Sequence, residues 1–78
     1  MKAEDIIQEI LLQLVDIVIQ GSKPKKIIVS EKVYDLFMNI TLMPRSLQYI
    51  DSVFYIADVP VEKADIQYKN AEIWYRIE

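Results

Sequence analysis

Neither histidine nor cysteine occurs among the 78 residues. That removes the commonest general base, the commonest transition-metal ligand and every thiolate. Nucleophilic pairs of the Ser–His or Cys–His kind are excluded with them. Hydroxyls, amines and carboxylates remain. Ser22 and Ser30 lie near Lys23, Lys25, Lys26 and Lys32, so a Ser–Lys pair is formally available. Ser30 is explained more simply as a helix cap, whose hydroxyl accepts a free N–H of the first turn. Ser22 falls in a loop. Asp58, Glu62 and Asp65 bracket Pro60. They could gather as oxygen ligands for Mg²⁺ or Ca²⁺, or share a proton in acid–base work. Their spacing matches no calcium loop, and a solvated loop accounts for them. Gly21 is the only glycine, so a glycine-rich phosphate loop is absent. These residues predict no enzyme, no catalytic residue, no metal site and no cofactor.

Nucleic-acid binding asks for a basic patch interleaved with aromatics. Nine basic and twelve acidic residues give a net charge of −3, the wrong sign for displacing counterions from phosphates. Lys23, Lys25 and Lys26 form the only cluster, and Tyr49, Tyr55, Tyr68, Trp74 and Tyr75 could stack on bases if they shared a face. The plainer account is a solubilising loop that complements a helix C-terminus, with the aromatics in a small core. A nucleic-acid module using the Lys23–Lys26 loop therefore ranks below protein binding.

The elements that must carry any site follow from the apolar spacing. Ala3–Gln20 reads as a helix, with Ile7, Ile10, Leu11, Leu14, Ile17 and Val18 on one face. Glu4 and Asp5 favour its N-terminus, and Gly21 and Pro24 end it. Ile27–Val29 is a short buried strand. Ser30 opens a second helix through Val33, Phe37 and Ile40, which Pro44 ends. Arg45–Asp51 reads as a loop. Ser52–Glu62 contains the strongest strand, with Val53, Tyr55 and Ala57 on one face and Phe54 and Ile56 on the other. Both faces are apolar, so a central strand covered on both sides is expected, and Pro60 ends regular pairing or marks an edge. Ile66 and Tyr68 suggest a short strand, Lys69-Asn70 a turn, and Ile73, Tyr75 and Ile77 an antiparallel edge strand. The prediction is a single α+β domain over residues 1–78. Its order is α-β-α-β-(β)-β, with three to four mixed strands packed by two helices and a parallel crossover through the second helix. Acidic residues follow Lys2 at once, so no signal peptide is expected. Gln8, Glu9, Gln13 and Asp16 interrupt the apolar run, so no membrane span is expected. A cytoplasmic location follows from these readings and the missing cysteines.

The first helix carries the most information. At about 100° per residue, Asp5, Glu9, Gln13, Asp16 and Gln20 form one narrow polar strip. Leu12, Val15 and Ile19 form a second apolar stripe beside the main face. The helix is thereby apolar over roughly two-thirds of its circumference, where a surface helix needs a little over 100°. Either the second helix or the 45–51 loop covers the stripe, or it is a partner surface. Leu12, Val15 and Ile19 are the candidate partner or dimer interface, and Asp5, Glu9 and Asp16 the candidate electrostatic contacts.

KKIIVSEKVYDLF, followed by SVFYIADVPVE, resembles small accessory proteins encoded by bacteriophages and prophages, over about residues 25–62. The resemblance is one of overall pattern and carries no functional residue onto any position. It implies a small host-directed protein in the host cytoplasm, a class that includes non-enzymatic inhibitors of host defence nucleases, several of them acidic dimers. The expectation is a protein-binding accessory protein, a homodimer by preference, that occupies the surface of a host enzyme. The alternative is an oligomerising structural or assembly protein.

Overall fold

The computed structural model describes residues 2–65 and 72–78, so the expected strand at Ile66 and Tyr68 and the turn at Lys69-Asn70 lie outside the described residues. Two helices, α1 (Ala3–Ile19) and α2 (Glu31–Met38), pack on one face of a mixed sheet. Its strands are β1 (Ile27–Val29), β2 (Leu47–Ile50), β3 (Val53–Ile56), β4 (Val59–Lys63) and β5 (Tyr75–Ile77), in the order β2-β3-β4-β1-β5. The expected α+β class holds, with five strands instead of three or four.

Local chemistry sets the helix ends. Gly21 adopts φ +86° after α1. Its N–H donates to the Val18 carbonyl and that of Ser22 to the Ile17 carbonyl, the double bond of a Schellman cap. Ser30 caps α2 by accepting the Val33 N–H at 3.3 Å. α2 stops at Met38, well before Pro44: Asn39 leaves the helical region at φ −100° and ψ 8°, and the Ile40 N–H reaches only to the Phe37 carbonyl. The Asn39 side-chain amide caps the end by donating to the Asp35 carbonyl at 2.8 Å. Ile40 and Thr41 therefore lie beyond the helix.

The largest departure from expectation lies between Arg45 and Lys63. Residues 47–63 form a three-stranded meander, not a loop and one strand. Two-residue turns make it possible. Asp51 and Ser52 have φ of 51° and 66°, and Ala57 and Asp58 have 50° and 68°. Positive φ at both central positions is the type I′ turn, whose twist matches that of paired strands. Pro60 lies inside β4, a central strand, opposite Tyr55. The pair next to the turn, Ile56 and Val59, is hydrogen-bonded, so Pro60 falls at a site whose N–H would point away from β3. On the β1 side the ladder begins only at Ile27↔Val61, so the missing donor costs no ladder bond. The parallel partner of β1 is thus β4, and the crossover passes through α2, β2 and β3.

Alternation fixes the core. Ile27, Val29, Leu47, Phe54, Ile56, Val59 and Val61 face the helices and meet Ile6, Ile7, Ile10, Leu14, Val33 and Phe37. The Phe54 ring is packed by Tyr49, Tyr34 and Phe37, with centroids at 4.6, 5.4 and 5.8 Å. Ile28, Val53, Tyr55 and Pro60 point the other way and are half-buried. Both helices lie on the Phe54 face, so β3 is covered on one side by helices and not on both as expected.

Left-handed backbone at a non-glycine residue costs roughly 1–2 kcal/mol. Changing Asp51-Ser52 to Asn-Gly should raise unfolding stability by about 1 kcal/mol after the extra chain entropy of glycine is subtracted. Ser52→Val should lower it by a similar amount, because a β-branched side chain resists positive φ. Urea denaturation of the two variants checks both signs.

Candidate protein-binding surface

The stripe anticipated on the first helix is open to solvent. Leu12, Val15 and Ile19 are 61%, 55% and 76% exposed, and Val18, expected on the core face, is 61% exposed. Neither the second helix nor the 45–51 segment covers them. Helix length gives the reason. α1 has 17 residues and α2 has eight, so at 1.5 Å per residue α2 is about half as long. α2 ends beside the first turn of α1, where Leu36, Asn39 and Ile40 share a shallow depression with Ala3 and Glu4. Among the described residues the C-terminal half of α1 has no neighbouring helix.

A groove of about 250 Å³ continues the stripe toward the sheet. Leu11, Leu14, Val15 and Val18 form its helical wall, and Pro24, Ala57 and Val59 its floor and far side. Sequence reasoning missed Pro24, which the turn at Gly21 folds back toward α1, and Ala57 and Val59, which only the β3–β4 turn brings there. Val18 was assigned to the core by its spacing, and the shortness of α2 is what exposes it.

The polar strip faces elsewhere. Gln13 reaches β5, its side-chain amide donating to the Tyr75 hydroxyl at 2.6 Å. Asp5 accepts the Lys2 backbone N–H at 3.3 Å and so serves the start of α1. Glu9 lies near Tyr75. Asp16 is exposed and next to Leu12 on the helical wheel, so the strip meets the stripe there. Burial, and then the charge of Glu9, raise the Tyr75 pKa above its ordinary 10.0, against the lowering effect of the Gln13 bond.

Other residues with chemical capacity are occupied or dispersed. The Ser30 hydroxyl is buried and accepts from Val33 and, at 3.4 Å, from the Trp74 N–H. Asp58 sits at the β3–β4 turn and Asp65 past the opposite end of β4, about 20 Å away along an extended strand. Glu62 between them pairs with Lys26 at 3.0 Å. Among the described residues no group of three His, Cys, Asp or Glu side chains could hold a metal ion. Lys26 also lies 3.9 Å from Glu78, and its pKa is raised, chiefly by the hydrogen bond to Glu62. This splits the lysine cluster and leaves Lys23 and Lys25 as its exposed members. The aromatics divide as well: Tyr49 and Tyr75 stand on the helix side, Tyr55 on the other face.

A second cleft, of about 550 Å³, opens beside β5, among Ile28, Glu62, Trp74 and Arg76. Arg76 there is bound to Glu78 at 2.9 Å. No helix among the described residues is long and apolar enough to cross a membrane. No protein-family model, no curated protein sequence and no solved structure matches the chain.

Tyr75 supplies a pH signature for the packing of α1 on β5. A pKa raised by folding gives stability that is complete below the unfolded value near 10 and lost as pH rises through the folded value. The melting temperature should fall above pH 10, and Tyr75→Phe should make that fall shallower. Lys26, also raised from 10.5, contributes in the same direction and keeps part of the slope in the variant. Thermal melts between pH 8 and about 11.5 read the difference.

Proposed function

We propose that this chain is a non-enzymatic protein-binding module that docks through the C-terminal half of α1. The observation that carries the reading is the set of four large aliphatic side chains exposed together at Leu12, Val15, Val18 and Ile19, continuous with the groove. Scattered apolar residues on a surface need no explanation, whereas a contiguous patch opening into a groove marks an interaction site. The absence of histidine and cysteine agrees with a binding role. The resemblance of residues 25–62 to phage accessory proteins supports a narrower form, in which the module occupies the surface of a host enzyme in the host cytoplasm. Asp16, where the polar strip meets the stripe, supplies electrostatic steering, with Asp5 and Glu9 farther along the same strip adding long-range charge. An association rate that stays flat as salt rises removes them from that role.

The paired substitutions Val15→Glu and Leu14→Glu test the surface. Leu14 is buried, so a charge there should unfold the chain, at a cost of several kcal/mol. Val15→Glu leaves the charge in water and should stay folded, with a cooperative circular-dichroism melt. Immobilised wild type should then recover a stoichiometric protein partner from bacterial extract that Val15→Glu loses and Gln48→Lys, on the far sheet face, retains. Equal recovery by all folded variants overturns the reading. Recovery of one host enzyme favours the host-directed form, and recovery of the chain itself favours an assembly protein.

A further inference from the structure

We infer that the occupant of the α1 flank is a second copy of this chain, packed with its α1 antiparallel across a twofold axis near Val15. The inference rests on the reading of that flank as a binding surface and assigns the flank itself to self-association, so that a host enzyme is met by the assembled dimer. Three observations point to it.

The first is the charge order along one line of the helix. At about 100° per residue, Glu4, Gln8, Leu11, Val15 and Ile19 lie within about 40° of a common line. The line runs from acidic and polar at the N-terminal end to apolar at the C-terminal end. The chain then turns at Gly21 and presents Lys23 and Lys25 around Pro24, at the end of the groove. An antiparallel copy sets Val15 against its equivalent, Leu12 against Val18 and Leu11 against Ile19. The same operation carries the acidic end of each helix toward the lysine loop of the other. A parallel copy would set Glu4 against Glu4 and Lys23 against Lys23. Among the described residues Glu4, Lys23 and Lys25 form no ion pair.

The second observation is the end of α2. Glu4 lines the depression beside Asn39 and Ile40, just past the C-terminus of α2. The last turn of α2 has no basic residue of its own, and Lys2 is the one basic residue that lines the depression there. In the antiparallel arrangement Lys23 and Lys25 of the second copy join Lys2 there and bring Glu4 a counter-charge from the partner.

The third is area. Leu12, Val15, Val18 and Ile19, each more than half exposed, form the apolar centre of such a contact, and a stable interface needs about 800 Å² from each side. Gln8, Glu4 and the lysine loop lie where the remainder is required. A twofold contact presents the same patch from both sides, and this patch is self-complementary in both shape order and charge order.

Sedimentation equilibrium on the full chain tests the proposal. Wild type should be a dimer and Val15→Glu a folded monomer. Glu4→Lys and Lys23→Glu should each raise the self-association Kd about tenfold, since each reversal occurs twice in a dimer. Mixing these two variants should restore wild-type affinity by forming the heterodimer, and so should the double variant alone. A loss caused by damage to α1 itself would not be restored by mixing. Single reversals without effect, or a double variant weaker than either, overturn the antiparallel orientation. A monomeric wild type overturns the second copy as occupant, and the flank then stands or falls with the capture of another partner. A dimer that survives Val15→Glu overturns the flank as the interface for this contact.

Discussion

The parallel pairing of β1 with β4 is the constraint on which the rest depends. A parallel pair needs a long connection, and here roughly thirty residues, including α2 and the β2–β3 hairpin, lie between the partners. The register Ile27↔Val61 puts Ile27, Val29 and Val61 under the helices together. β1 has only three residues yet is paired on both sides, with β4 and with β5. The chain around it extends both ladders: the Ala64 N–H donates to the Val29 carbonyl at 2.8 Å, and the Glu78 N–H to the Lys26 carbonyl at 2.8 Å. Ser30 stands where these connections meet. Its backbone N–H donates to the Trp74 carbonyl, and its hydroxyl accepts from both the α2 cap and the chain entering β5. One buried serine thus aligns a strand end, a helix start and the edge strand.

The parts of this design with strong local signals were legible in the sequence. α1 shows its period over five turns and carries the one glycine at its cap. Ser30 announces α2, and Tyr75 and Ile77 alternate as an edge strand should. The meander was not legible. Its two I′ turns are Asp51-Ser52 and Ala57-Asp58, where such turns favour Asn-Gly or Asp-Gly. Without glycine, Val53–Val61 reads as one apolar run, and Pro60 looks like its end. The useful signal was the aspartate at each turn, which tolerates left-handed backbone better than most residues. Pro60 misled because its cost depends on register, and register is set only after the turns are placed.

For the binding surface, the stripe Leu12, Val15 and Ile19 could be read from the helical wheel, but its exposure could not. Exposure depends on the length of α2, which ends after eight residues where Asn39 departs from helical dihedrals and its side-chain amide caps the Asp35 carbonyl. The groove floor depends on the same unread turn, since Ala57 and Val59 reach α1 only because the chain reverses at Ala57-Asp58. A misjudged turn thus hid part of the fold and part of the site together.

The composition of α1 opposes what a lone domain's packing would favour. On the line through Val15, the position next to the end of α2 is Glu4, followed by Gln8, and those with no neighbouring helix among the described residues are Val15 and Ile19. A single chain would gain from the reverse order, with apolar residues where α2 gives partial cover and polar ones where water does. A domain this small hides only about 60% of its unfolded surface and has little stability to forgo. An inverted order of this kind stabilises the molecule only when something covers the C-terminal half of α1. The cover must be apolar at its centre, with basic groups directed toward the N-terminal end of the helix, and the same line on a second copy, reversed, has that composition.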